Sequence, residues 1–208
     1  MKNNKAASLT VELVAITPDA EKVIEQAGRT CYLSFDKLSC DSEGCFIRRL
    51  IKMGHDSPLE HAIATFRIRG CSRAMTHQLV RHRLMSVCQQ SQRYVDEKGF
   101  EYVIPESMPD EFLDDYHNDM KIIEGMYEKW RSRGLWKEDA RFVLPNACTS
   151  EIVVSANIRE WRHILTIRTS PKAQWEIRNA CLMIFGILRE KCPDCFADIN
   201  PLEKVNPD

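Results

Sequence analysis

The chain has 208 residues, and its 29 Lys and Arg against 30 Asp and Glu give a formal net charge of −1. Hydrophobic residues make up 44% and charged residues 28%, proportions that exclude a disordered or fibrous chain. No stretch approaches the roughly 18 consecutive apolar residues of a membrane span, and no apolar signal core follows the basic N-terminus. We therefore expect a cytoplasmic protein whose nine cysteines are reduced.

The first part of the chain predicts one strand followed by two helices. Residues 9–17 are rich in Val, Leu and Ile, which favours a strand, and Pro18 then opens a helix that extends to about residue 27. Residues 31–44 have the composition of a loop, and a second helix ends near Gly54. A short helical turn follows, with Ser57 as its cap and Pro58 at its first position.

The hydrophobic period changes to that of a strand after residue 61. Residues 62–69 alternate between apolar and more polar side chains, which predicts a half-buried strand with Arg67 and Arg69 on its wetter face. Residues 70–72 predict a turn in which Ser72 caps the next helix.

The second half predicts long helices around short strands. Residues 102–104 and 150–156 favour strands. Helices are expected over residues 110–134, 136–144 and 157–167, and from Pro171 to about Pro193. The whole pattern is mixed α and β, without an internal repeat or a clear linker.

An acid-free, arginine-rich stretch is the main functional signal. Residues 61–95 contain no Asp or Glu but six arginines and three histidines. At its centre, Arg81-His82-Arg83 precedes a polar run with three glutamines. Guanidinium groups hold phosphates, and carboxamides suit the edge of a heterocycle. The residues alone leave two interpretations open: a site for a phosphorylated heterocycle, or arginines that pair with acids from elsewhere in the fold.

A second polar cluster lies on the helix predicted at 157–167. Arg159, Arg162 and His163 share one side of it, and Arg168 follows. The simpler interpretation is that Asn157 only caps this helix and that His163 is an ordinary surface histidine.

Other motifs in the sequence do not indicate a metal site, a serine nucleophile or a known nucleotide-binding fingerprint. Cys192 and Cys195 have C-x-x-C spacing, but they follow a helix and have no second pair at zinc-site spacing, so no metal site is expected. Ser91 is not within a G-x-S-x-G elbow. The absence of G-x-G-x-x-G and of a P-loop argues against a Rossmann fold.

The arginine motif nevertheless has a recognisable context. Arg81-His82-Arg83, followed after seven residues by Ser91, resembles the signature of the flavin-dependent thymidylate synthases. Further matching segments occur in the family's order over roughly residues 8–200. They are Ser57-Pro58-Leu59-Glu60-His61, Ser72-Arg73-Ala74, His77-Gln78-Leu79-Val80, Ala140-Arg141, Leu144-Pro145, Asn157, Arg159, Trp161-Arg162-His163, Arg168, Ala173-Gln174 and Glu176-Ile177-Arg178.

The resemblance implies both a reaction and a fold. Members of the family make dTMP from dUMP, with methylenetetrahydrofolate as one-carbon donor and NADPH as reductant through bound FAD. The expected fold is α+β, with a few-stranded, mainly antiparallel sheet flanked by long helices in a single domain over residues 1–208. It also implies a homotetramer whose active sites lie at subunit junctions, and no nucleic-acid or membrane partner.

The resemblance also assigns roles to residues. Arg168 would be catalytic, as a cation that stabilises negative charge on the uracil when N3 ionises. Ser91 would bind substrate rather than attack it, and no cysteine would be a nucleophile. FAD would contact Ser57, Arg81, His82, Arg83, Gln89, Asn157, Arg159 and His163. The dUMP would contact Gln78, Arg81, Gln89, Gln90, Ser91, Gln92, Arg93, Arg141 and Arg168.

Two departures from the family pattern keep alternatives open. Many relatives carry Asn-Glu where this chain has Cys88-Gln89, and some carry Asn at the place of His163. A neutral Gln89 cannot act as a base, which motivates a lapsed enzyme that still binds FAD. Nucleic-acid binding is a third possibility, but residues 61–95 hold no Lys and only two aromatic residues, unlike typical nucleic-acid readers.

Overall fold

The computed structural model describes residues 6–201, so the ends of the predicted domain and the basic N-terminus lie outside the described residues. The fold is α+β, as predicted, with one four-stranded antiparallel sheet of order β1-β2-β4-β3 and seven α-helices within the described range. The strands are β1 Thr10–Ile16, β2 Ile63–Ser72, β3 Met85–Gln89 and β4 Thr149–Asn157. The helices are α1 Ala20–Thr30, α2 Ser42–Lys52, α3 Arg73–Leu79, α4 Leu113–Ser132, α5 Lys137–Ala140, α6 Ile158–Arg168 and α7 Trp175–Lys191.

The chain divides into two compact units. The first contains the chain up to Thr10 together with Ile68–Arg81 and Cys88–Ile152. The second contains Val11–Arg67, His82–Val87 and the chain from Val153 onward. The single domain stays a prediction.

Helix packing forms the core of the second unit. Helix α1 packs on α2, and α6 packs on α7, with Ile24 and Ile47 fully buried. Trp161 of α6 is also fully buried, and its Nε1 donates to the carbonyl oxygen of Ala64 at 3.0 Å. The ring of Phe66 packs edge-on against the Trp161 indole, with 5.2 Å between the ring centroids. A hydrogen bond and an aromatic contact therefore hold this core together, in addition to its burial.

Aromatic residues contribute to the hydrophobic core of the first unit. Phe100, Tyr102, Met120 and Cys148 form a buried cluster under α4. The strand predicted at 102–104 is reduced to isolated bridges from Tyr102 to Ala6 and Cys148. The correction has a simple reason, because Pro105 follows directly and cannot donate to a ladder.

Strand β2 confirms the predicted alternation and is longer than expected. Ala64, Phe66 and Ile68 are buried, while Ile63, Arg67 and Arg69 lie on the wetter face. The predicted turn at 70–72 is wrong, because the strand continues to Ser72. Gly70 makes this possible, since a Cβ there would lie 2.2 Å from the carbonyl oxygen of Ser8. Ser72 caps α3 as predicted, with its Oγ accepting from the Met75 N–H at 3.0 Å.

The helices differ from prediction mainly at their starts. Asn157 caps α6 as predicted, accepting from the Glu160 N–H at 2.8 Å. Helix α7 begins at Trp175 rather than near Pro171, because the Gln174 side chain supplies its cap. Ser57 is the first residue of a 3-10 turn over Ser57–His61 that has no side-chain cap. Helix α2 begins inside the predicted loop, at Ser42, and strand β3 was not predicted.

Candidate functional site

A cavity of about 330 Å³ in the first unit contains two of the predicted substrate residues, Gln92 and Arg141. Arg73 and His77, which the sequence analysis did not assign to the site, line the same cavity. The remaining lining residues are Phe142, Leu144, Pro145 and Asn146. Among residues 6–201 the lining contains cations, amides and apolar groups but no carboxylate, so the cavity suits an anion with a flat organic part.

Helix α3 explains why Arg73 and His77 lie together. The Ser72 cap fixes the start of the helix, which places Arg73 at its first position and His77 one turn later. Residues four apart share a face of an α-helix, so both side chains reach the same cavity. This spacing is visible in the sequence and is the signal by which the two residues are recognisable.

Glu138 organises the two arginines that are expected to hold phosphate. Its carboxylate accepts from Arg93 Nε at 2.8 Å, and its backbone carbonyl accepts from Arg141 Nε at 3.0 Å. The ion-pair interpretation is therefore correct for Arg93. Both contacts use Nε, and no hydrogen bond within residues 6–201 is made by the Nη atoms of either arginine. The Nη atoms carry the paired N–H groups with which a guanidinium can bind two oxygens of a phosphate.

Three successive polar contacts fix the glutamines of the first unit. Gln89 Nε2 donates to Thr76 Oγ1 at 2.9 Å and to Ser150 Oγ at 3.0 Å. Gln90 Nε2 donates to the buried carboxyl group of Glu97 at 3.1 Å. Burial raises the pKa of Glu97, while the charge of Arg73 lowers it. Glu97 was missed in the sequence analysis because it lies just beyond the acid-free stretch.

The other predicted substrate residues of this unit have local roles. Ser91 Oγ accepts from the Arg93 N–H at 3.3 Å, within a turn whose later N–H groups bond to the Ser91 carbonyl. Gln78 is half-buried on α3, and Arg81 is exposed just after this helix. No base among the described residues forms a hydrogen bond with Ser91 Oγ, and its role stays a prediction.

A second cavity, of about 420 Å³, lies in the second unit and contains the predicted flavin residues Ser57 and Arg159. The end of α2 produces it. Gly54, with φ of 71°, donates to Ile51, and His55 donates to Leu50, which is a Schellman motif. The change of chain direction after α2 places residues 55–58 in the wall of the cavity. Arg159, beside it, forms an exposed ion pair with Glu60.

His82, Arg168 and His163 form a cluster in the second unit. Arg168 Nε donates to His82 Nε2 at 2.9 Å, and the His163 ring lies 5.9 Å from the His82 ring. Burial, the Arg168 charge and His163 together lower the pKa of His82 to about 4. His82 is therefore a neutral acceptor near pH 7, and the positive charge stays on Arg168.

The remaining predicted flavin residues are less constrained. Arg83 is exposed, and Asn157 uses its Oδ1 as the cap of α6. Arg162 is not available as a ligand group, because it forms a bidentate pair with Asp198 at 2.7 and 2.8 Å. That pair lowers the pKa of Asp198.

The cysteines of the described chain show no reactive arrangement. None of the nine, all within residues 6–201, forms a disulfide. Cys192 and Cys195 are fully buried, and burial raises the pKa of Cys192 to about 12. No cluster of His, Cys, Asp and Glu in the described range is arranged to bind a metal. None of the described helices is sufficiently long and apolar to span a membrane.

Comparison with known proteins decides the family. A family model described as thymidylate synthase complementing protein matches residues 12–194. The chain belongs to this family. It is 39% identical over 208 residues to a flavin-dependent thymidylate synthase of Nitratidesulfovibrio vulgaris, covering 90% of this chain and 85% of the relative. The identity is 38% to the enzyme of Geobacter sulfurreducens, covering 93% and 88%, and 44% to that of Pyrococcus furiosus, covering 82% and 70%.

The family match includes every residue assigned to the site, and the two units divide these residues by ligand. The expected dUMP residues all lie in the first unit except Arg168. The expected FAD residues all lie in the second unit except Arg81 and Gln89.

Proposed function

We propose that this chain catalyses the reductive methylation of dUMP to dTMP, with methylenetetrahydrofolate as the one-carbon donor and NADPH as the reductant through bound FAD. The observation that supports it most directly is the acid-free cavity in the first unit, where Gln92 and Arg141 lie beside Arg73 and His77. A mononucleotide needs cations at its phosphate and neutral polar groups at its sugar and base, and this cavity offers both.

The donor set of the second unit fits a flavin dinucleotide. Ser57 and Arg159 line a cavity large enough for part of a cofactor, and the exposed Arg83 adds a second cation for its phosphates. His82, His163 beside it and the Nδ2 end of Asn157 can bond to a ring edge. Arg81 and Gln89 complete the proposed FAD contacts. When bound, FAD would supply the hydride-transfer chemistry.

The substrate would be held by the residues of the first unit. The Nη groups of Arg93 and Arg141, aligned by Glu138, would bind the phosphate. Ser91 and its turn would add donors, and Gln78, Gln89, Gln90, Gln92 and Arg81 would surround the rest of the nucleotide.

Arg168 is proposed as the catalytic residue. Its guanidinium would stabilise negative charge on the uracil when N3 ionises. Neutral His82 holds Arg168 Nε without adding or removing charge at that place. A histidinium in that place would repel Arg168 and displace it.

We further propose a single, non-Rossmann domain that assembles as a cytoplasmic homotetramer with sites shared between subunits and without a nucleic-acid partner. The supporting observations are the family match, the absence of the dinucleotide fingerprint, and the lack of Lys in the arginine-rich stretch.

The decisive experiment is the visible absorbance of the purified, FAD-loaded protein. We expect the oxidised-flavin spectrum to bleach when NADPH is added without oxygen and to return when dUMP and methylenetetrahydrofolate follow. Bleaching without return in the presence of both substrates would indicate the lapsed enzyme. A protein that cannot be loaded with FAD would refute the proposal and make nucleic-acid binding the next test.

Variants then separate the role of Arg168 from general damage. Arg168→Ala should keep FAD but lose the recovery of the spectrum, because the cation at the uracil is gone. Arg189→Ala, which removes an exposed arginine of α7, is the matched control and should behave as the wild type. Full turnover of Arg168→Ala would remove the catalytic role.

A further inference from the structure

Glu97 is a buried carboxyl group beside the predicted substrate residues, and its backbone is rigidly held. It is 5% exposed, and its N–H donates to the hydroxyl of Tyr127 at 3.2 Å. Tyr127 in turn donates to Asp96 at 3.1 Å, so helix α4 anchors the loop that carries Glu97. A carboxyl group held at a fixed place determines which end of a neighbouring carboxamide faces it.

Glu97 receives two donors, and a second carboxamide is linked through one of them. Gln90 Nε2 donates to Glu97 Oε1 at 3.1 Å, and Cys148 Sγ lies 3.9 Å from Oε2. Gln92 Nε2 donates to the same sulfur at 3.8 Å. The chain of contacts therefore runs from Gln92 through Cys148 to Glu97, and from Gln90 directly to Glu97.

The chemistry of these partners fixes which end of each carboxamide faces the protein. The Glu97 oxygen accepts from Gln90 Nε2, so the nitrogen of this carboxamide faces Glu97. The thiol proton of Cys148 points to an acceptor, Glu97 or the Thr149 carbonyl, so its sulfur can only accept from Gln92. The nitrogens of both glutamines are thereby committed to the protein.

Gln89 shows the same orientation through an independent contact. The Thr76 hydroxyl donates its single proton to the Arg73 carbonyl at 2.9 Å, so its oxygen must accept from Gln89 Nε2. No hydrogen bond within residues 6–201 engages the Oε1 atoms of Gln89, Gln90 or Gln92. Three neighbouring glutamines thus keep carbonyl oxygens for a ligand.

We propose that Glu97 is a positioning residue that turns the carbonyl oxygens of Gln90 and Gln92 toward the sugar of the bound nucleotide, where one of them accepts the single proton of the 3′-hydroxyl. The inference rests on the proposed dUMP site. Gln92 shares its cavity with Arg141, a proposed phosphate ligand, and the 3′-hydroxyl is the donor closest to the phosphate in a deoxynucleotide. Glu97 touches no ligand itself and acts only through the two amides.

The test compares dUMP with 2′,3′-dideoxyuridine monophosphate, which lacks only that hydroxyl. Calorimetry on the FAD-loaded wild type should give about tenfold weaker binding of the dideoxy compound, the factor that one hydrogen bond of ordinary strength provides. In Glu97→Gln, an amide replaces the acceptor and the two glutamines are no longer held in one orientation. The ratio of the dissociation constants of the dideoxy compound and dUMP should fall to about twofold. The KM for dUMP should rise, and kcat should change little.

Controls separate positioning from simple damage. Asp96→Asn changes the adjacent carboxylate, which contacts Tyr127 and Arg131 but no glutamine, and it should keep the tenfold ratio. If Glu97→Gln does not fold, Gln90→Leu and Gln92→Leu remove the acceptors directly and should lower the ratio in the same way.

The outcomes distinguish this inference from the proposed function. A wild type that binds neither nucleotide contradicts the proposed function. A wild type that binds dUMP while Glu97→Gln retains the full ratio contradicts the positioning role alone. An equal loss of affinity for both nucleotides in Glu97→Gln also contradicts it, because a merely structural defect acts on both.

Discussion

Lowering the pH from about 7 to about 5 should destabilise the protein through His82. This side chain is 8% exposed, accepts from Arg168 Nε at 2.9 Å and has a pKa of about 4 in the folded protein. In the unfolded chain the same histidine has a pKa near 6.5. The unfolded state therefore binds more protons between these two values, and stability is lost as the pH falls through that window.

The magnitude follows from the two pKa values. The His82 contribution to the free energy of unfolding is nearly complete at pH 7 and falls by at most about 2 kcal/mol on going to pH 5. Because the His82 side chain is not completely buried, solvent screening reduces the expected loss to about 1–2 kcal/mol.

Urea unfolding of wild type and His82→Gln at a series of pH values measures this contribution. Gln can still accept from Arg168 but does not titrate. The raised pKa values of Glu21 and Glu97 act with the opposite sign, and they cancel when the two proteins are compared at equal flavin content. A difference between the two proteins that is constant with pH, or that favours the wild type as the pH falls, would refute the reasoning.

Three further changes test other parts of the structure. Ser91→Ala should keep measurable activity in a steady-state assay, because its hydroxyl only supports a turn and a proposed substrate contact; complete loss with intact dUMP binding would indicate a nucleophile. Cys192→Ser with Cys195→Ser should lower the melting temperature, since both are buried, yet leave turnover intact at low temperature; joint loss of zinc and activity would contradict this. Tyr127→Phe should cost about 1–3 kcal/mol in chemical unfolding, because the Glu97 N–H loses its acceptor; an unchanged midpoint would show that this bond is unimportant.

Local signals in the sequence predicted much of the fold. The alternation along residues 62–69 predicted β2 because one face of that strand is buried and the other is wet. Ser72 and Asn157 predicted the starts of α3 and α6, since a cap acts on N–H groups only two or three residues away. Strand β3 escaped prediction, because its residues are half-buried or exposed and carry no alternation.

The sequence also determined the composition of the candidate site. The resemblance carried by the arginine motif and its flanking segments pointed to Gln92, Arg141, Ser57 and Arg159 in the two cavities and to the His82 cluster. Arg73 and His77 were recognisable from their spacing, although only the cavity shows that they belong with Gln92 and Arg141.

Only the tertiary structure decided which acids meet these residues and which way their polar groups face. Glu138 lies 45 positions from Arg93, and Glu97 lies 51 positions from Cys148, so no local pattern connects them. The neutral state of His82 likewise depends on Arg168, which is 86 positions away. Hydrophobic alternation and helix caps depend on residues within about one turn of the chain, so they can be predicted from the sequence. Charge pairing and amide orientation depend on distant segments that only folding brings together.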